Sequence, residues 1–265
     1  MTFENGAGSG REAAVSSAAA NNADNLLAEY AAIYGIGVCD LSEAERAVVL
    51  SAADDYESDR HGAFEIRPER TAVIVIDMQE DFVRPSSPMW VPQAERMIPA
   101  LRHLLRTARA HGSPVLFTAA NYLPRHPNDT SLYCAPIARG QLRQGSAGVE
   151  IAAGLVQPGD YVLRTKHTYD AFFGTELDPR LRAADASTVI ITGTLTNYCC
   201  EATARAAFDR GYHVVFASDL TATDSPSGHV ATLRTMRRGY ARVMRGDDIE
   251  RALSSGDELH RNACP

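Results

Sequence analysis

The chain has 265 residues, of which 45% are hydrophobic, with five cysteines and a formal net charge of -7 at pH 7. An isoelectric point near 5.6 leaves no basic footprint for nucleic acid or an anionic membrane, and no apolar run approaches the roughly 20 residues that span a bilayer. An odd cysteine count without framework spacing, and an amino terminus with no basic-then-apolar leader, point away from a secreted disulfide scaffold and towards a reducing, cytoplasmic setting.

Residues 1–24 are mostly Gly, Ala, Ser and Asn, too poor in large apolar side chains to fold, and are expected to be disordered. Residues 25–67 read as a helical arm. Leu26, Leu27, Tyr30 and Ile33 form one apolar stripe, Gly35 and Gly37 interrupt it, and Ser42 with Glu45 resembles a capping box. This arm packs either on the main domain or on a neighbouring subunit. Residues 68–253 then alternate apolar strand runs with amphipathic helices. The strands are AVIVI before Asp77, Pro114–Thr118, Asp160–Arg164, a run from Thr188, His213–Ala217 and Ala241–Met244. The helices are Ala94–Ala110, Asp178–Ala184, one from Thr196 or Asn197 to Gly211, Ser227–Gly239 and a short one after Asp247; residues 254–265 form a tail. Such alternation implies one three-layer α/β domain around a mostly parallel sheet of about six strands.

The stretch TVIITGTLTNYCCEATARAAFDRG (188–211) carries most of the chemical information. A buried strand runs into Gly193, and a helix follows for which Thr196 or Asn197 is a plausible N-cap and Gly211 the C′ residue. Cys199 and Cys200 therefore stand in a first helical turn beyond a strand's carboxyl end, where unpaired N–H groups favour a thiolate and where open α/β sheets bind ligands. Cys200, Ala204, Ala207, Phe208 and Gly211 recur at helical spacing and form a stripe suited to lying on the sheet. Cys199 is left to face the strand ends. Asp77 and Lys166 also follow strands and belong to the same rim. A carboxylate, an ammonium and a thiol in reach of one another suit nucleophilic attack on a carbonyl, with turn N–H groups receiving the oxyanion. Each has a plainer account if it stands alone: an inert core thiol, a loop aspartate, a solvated strand-end lysine.

Three segments, AVIVIDMQEDF (72–82), RTKHTYDAFFGTELD (164–178) and TGTLTNYCCEATARAAFDRGYHVVFASD (192–219), together resemble the isochorismatase-like cysteine hydrolases, a family that includes N-carbamoylsarcosine amidases, ureidoacrylate amidohydrolases, biuret hydrolases and nicotinamidases. The resemblance spans about Arg70 to Ile249 and implies a three-layer αβα fold with a Rossmann-like sheet. It implies that Cys199 is the nucleophile, Asp77 the proton shuttle and Lys166 their electrostatic partner. A cis peptide would join Thr194 to Leu195 and aim the Leu195 and Cys199 N–H groups at the oxyanion. The segment TAANYLPRHPNDTS holds the single His126 rather than the Asp-x-His…His pattern of nicotinamidases, so the resemblance implies no metal and no other cofactor. It points to the branch that acts on small carbamoyl, ureido or carboxamide compounds through a thioester. Gln79, Phe82, Trp90, Asn121, Tyr122, Tyr169 and Phe173 are the candidates for the pocket wall, and a dimer or tetramer is the expected assembly. A metal-assisted site using His126 and a non-catalytic binding relative are the alternatives.

Overall fold

The computed structural model describes residues 27–28, 31, 41–43, 46, 64–122, 137 and 139–255. Expectations for residues 1–24, for most of the arm and the tail, and for His126 lie outside the described residues.

Six strands form one sheet: β1 (Thr71–Ile76), β2 (Val115–Thr118), β3 (Tyr161–Leu163), β4 (Thr188–Thr194), β5 (His213–Ala222) and β6 (Arg242–Met244). Their spatial order is β3-β2-β1-β4-β5-β6, and every pairing is parallel. The Rossmann-like order expected of a doubly wound sheet is thus present, with its switch point between β1 and β4, where the chain reverses its direction of growth. Both central strands are buried along their whole length, which is why they read as continuous apolar runs rather than alternating ones.

Strand periodicity divides the core between two faces. Ala72, Ile74 and Ile76 of β1 join Val189, Ile191, Val214 and Phe216 on one face. Helices α4 (Leu177–Ala183), α5 (Glu201–Asp209) and α6 (Pro226–Gly239) cover it through Leu181, Ala204, Ala207, Leu233 and Met236, and Leu27 and Leu41 of the arm belong to the same cluster. Val73, Val75, Ile190 and Val215 turn to the other face. There they meet α1 (Glu80–Val83), α2 (Pro92–Arg96), α3 (Ile98–Ala110) and α7 (Gly246–Ser255), with Phe82, Leu101, Leu105, Ile249 and Leu253 in the packing.

Three local expectations are corrected. The helix expected over Ala94–Ala110 is two helices that meet at Met97. Pro99 is the cause, since it has no N–H to donate and its ring crowds the carbonyl one turn back. β5 runs five residues beyond Ala217, because a register shift between Ile191 and Gly193 lets Thr221 and Ala222 pair with the end of β4. Phe208 is 41% exposed and meets the edge of Tyr240 instead of lying on the sheet with Cys200, Ala204 and Ala207.

Candidate active site

The three groups singled out in the sequence meet at the switch point. Asp77 leaves β1 with a positive φ of 45°. Its backbone is fixed on both sides: the N–H donates to the Thr118 carbonyl at 3.1 Å, and the carbonyl accepts the Thr194 hydroxyl at 2.8 Å. Lys166 lies three residues beyond β3, and its carbonyl accepts the Asn121 N–H at 2.9 Å. The Lys166 Nζ donates to Asp77 Oδ2 at 2.6 Å and stands 3.4 Å from Cys199 Sγ. The other carboxylate oxygen, Oδ1, accepts the Thr118 hydroxyl at 2.6 Å. Asp77 and Lys166 are wholly buried, and Cys199 is 6% exposed.

Electrostatics at this depth amend one expectation. Burial works against the Lys166 charge, but the adjacent Asp77 carboxylate, with Cys199 and Tyr122, more than offsets it and holds the ammonium above its usual range. Burial has the opposite consequence for Cys199: it outweighs the lowering by Lys166, Asp77 adds to it, and the thiol is pushed up to about 12. Burial thus favours a thiol beside an ion pair, where the helix start taken alone favours a thiolate. Cys200, wholly buried with its Sγ towards the Thr192 carbonyl at 3.9 Å, is raised as well, again chiefly by burial. Helical phase separated the two cysteines correctly.

Between β4 and α5 the backbone is unusual at several successive positions. Gly193 has φ 107°, and a Cβ there would fall on the Ile76 carbonyl and 2.7 Å from the Ile76 nitrogen. Only glycine allows β1 and β4 to approach so closely at this φ. A cis peptide joins Thr194 to Leu195, at the bond named from the resemblance. Thr196–Cys200 then form a π turn before α5. Leu195, not Thr196 or Asn197, is its cap residue, and no side chain caps it. The Leu195 carbonyl accepts the N–H groups of Tyr198 and Cys200, both at 3.1 Å. Among the described residues, the Leu195 N–H, outside any helix or strand, donates to no protein acceptor.

Residues 71–248 match the Isochorismatase domain model. The chain belongs to the isochorismatase family. It is 33% identical over 188 residues to a protein named nicotinamidase 3 of Arabidopsis thaliana, covering 69% of this chain and 88% of that one. Maleamate amidohydrolase of Pseudomonas putida is 27% identical over 186 residues, covering 69% and 87% of the two chains. Among solved structures, a cysteine hydrolase from Pseudomonas syringae pv. phaseolicola superposes with a TM-score of 0.66 at 31% identity, over 73% of this chain and 96% of that one.

Within this family framework, the pocket-wall candidates fall into two groups. Gln79 is wholly buried, and its amide is committed to backbone: Nε2 donates to the Ala120 and Val149 carbonyls at 2.9 and 2.8 Å, and Oε1 accepts the Ala120 N–H at 2.9 Å. It braces the loop after β2 and has no N–H left for a ligand. Phe82 is part of the core, and the exposed Trp90 donates its indole N–H to Glu95. The others follow β2 or Lys166. Asn121 and Tyr122 follow β2 beside Lys166. Tyr169 and Phe173 are exposed in the segment after Lys166, with Phe173 edge-on to His167. Tyr169 packs at 5.5 Å on Tyr198, an exposed side chain next to Cys199 that sequence reasoning missed. Thr118 was missed too, since a strand threonine gives no sign of which carboxylate it will meet. Among the described residues, no three His, Cys, Asp or Glu side chains gather in a metal-binding group, and no helix is long and apolar enough to cross a membrane.

Proposed function

We propose that this protein is a metal-independent cysteine amidohydrolase that cleaves a C–N bond of a small carbamoyl, ureido or carboxamide substrate. One observation carries the proposal: a buried ammonium lies 2.6 Å from a carboxylate and 3.4 Å from a thiol at the sheet's switch point. Relatives named for amide hydrolysis support it.

Asp77 takes the Cys199 proton as the sulfur attacks the substrate carbonyl, so thiolate character develops only in the encounter. The carbonyl oxygen gains charge and is received by the Leu195 and Cys199 N–H groups of the turn. Collapse of the tetrahedral intermediate breaks the C–N bond. Asp77 returns its proton to the departing ammonia or amine, leaving a thioester on Cys199. Water attacks the thioester, Asp77 takes its proton and hands it to the sulfur, and the acid is released. Lys166 stays protonated throughout and holds Asp77 in place. Asn121, Tyr122, Tyr169 and Phe173 contribute to the substrate's surroundings. A cytoplasmic dimer or tetramer belongs to the same proposal.

A second substrate reading, an aromatic carboxamide of the nicotinamide type, is favoured by the 33% identity to a protein named nicotinamidase 3. Ammonia release separates the readings when it is measured across ureido acids, biuret, maleamate, nicotinamide and simple amides, on protein of known metal content. Turnover of at least one compound should survive chelation and vanish in Cys199→Ala. Undiminished turnover in that variant would defeat the proposal, and loss on chelation would replace it with a metal-assisted one.

A further inference from the structure

The turn that bears the nucleophile has no side-chain cap, and the two polar side chains that begin it are engaged elsewhere. Thr196 and Asn197 begin the turn and are the residue types that usually cap a helix start. Here the Thr196 hydroxyl lies 2.9 Å from His229 Nδ1 on α6, with both residues buried. Asn197 Oδ1 accepts the Thr223 hydroxyl at 2.6 Å. Thr223 is itself buried just past β5. Asn197 lies so close over the start of α6 that a Cβ on Gly228 would come within 2.8 Å of its Nδ2. The imidazole of His229 also interacts with the Ser218 backbone of β5, and burial depresses it to about 4. It is therefore neutral near pH 7, one nitrogen facing the hydroxyl. Two independent hydrogen bonds thus tie consecutive residues of the turn to the neighbouring β5–α6 unit.

We propose that His229 and Thr223 are positioning residues for the oxyanion-binding turn: they hold Thr196 and Asn197 so that the Leu195 and Cys199 N–H groups stay correctly aimed. They touch neither substrate nor the reacting atoms. The inference rests on the amidase reading above. Loosening donors that should meet the oxyanion, and not the ground-state carbonyl, lowers kcat more than it alters KM. Outright removal of one such donor costs about 100- to 1000-fold in kcat, so loosening the turn is expected to cost roughly 10- to 100-fold.

The test uses Thr196→Val and Thr223→Val, which keep side-chain volume, and Thr196→Ser, which keeps the hydroxyl. For each variant kcat is expressed per folded protein, quantified by size-exclusion chromatography and near-ultraviolet circular dichroism, so that a misfolded fraction drops out. Each valine variant should lose about 10- to 100-fold in kcat with KM within about 3-fold of the parent, and the serine variant should stay within about 3-fold in both. Should one valine variant fail to fold, the other decides. A kcat per folded protein that is unchanged in the valine variants, or a rise in KM alone, would overturn the assignment. Cys199→Ala in parallel keeps the two claims apart: its retained activity defeats the amidase reading, whereas its inactivity beside fully active valine variants defeats only this inference.

Discussion

A thiol, an ammonium and a carboxylate placed side by side out of water settle their protons by mutual interaction. Lys166 and Asp77 form the ion pair, and the sulfur, farther from the ammonium and close to a carboxylate, keeps its proton. A cysteine pushed up to about 12 is protonated at every pH well below that value. The resting protein should therefore show no thiolate absorbance near 240 nm at pH 7 relative to Cys199→Ala, and the signal should grow only as pH climbs towards the raised value. A full thiolate signal at pH 7 would mean that the proton already sits elsewhere before substrate arrives. The identities of Asp77, Lys166 and Cys199 were legible in the sequence because each follows a strand, and parallel strands end on one rim. The protonation state was not legible, because it depends on desolvation, and strand position says nothing about depth. The same gap explains Gln79: a polar residue two positions beyond Asp77 suggests a ligand contact, and only the coordinates show its amide spent on three backbone groups.

At the scale of the element, the turn after β4 is where local sequence signals and structure diverge. Strand, glycine and helix were readable between Thr188 and Gly211, but the capping residue was not, since neither Thr196 nor Asn197 caps the turn. Nor was the π turn: Thr196 and Asn197 are hydrogen-bonded to His229 of α6 and to Thr223 just before it, partners that no local pattern reveals. Glu201 and Thr203, on α5 just beyond the turn, are likewise engaged with other segments: Glu201 accepts the Thr232 hydroxyl at 2.6 Å, and Thr203 Oγ1 accepts the Ala171 N–H at 3.1 Å. Gly193 fixes where the turn begins. Gly193→Ala would place a methyl group against the Ile76 backbone at a φ that L-residues avoid. It should lower unfolding free energy by at least about 3 kcal/mol in urea titration, or leave the protein unfolded. A loss below about 1 kcal/mol would show that β1 and β4 separate more easily than their register implies.

Over the whole molecule, the all-parallel sheet brings together residues as distant in sequence as Asp77, Lys166 and Cys199, which no helix or loop could do alone. The strand order was not fixed by the strand runs themselves, yet the buried character of β1 and β4 marked them as central, and the central gap is where the site lies. Two adjacent cysteines then supply a direct internal control. Helical phase turns Cys199 to the rim and Cys200 to the core, so two substitutions of the same chemical kind at neighbouring positions should differ sharply in outcome. The decisive measurement is ammonia release by Cys199→Ser and Cys200→Ser, side by side, on whichever substrate the parent turns over. The account predicts that Cys199→Ser falls to the uncatalysed rate while Cys200→Ser keeps kcat within about 10-fold of the parent, a margin set by core packing. An active Cys199→Ser beside an inactive but folded Cys200→Ser would contradict it.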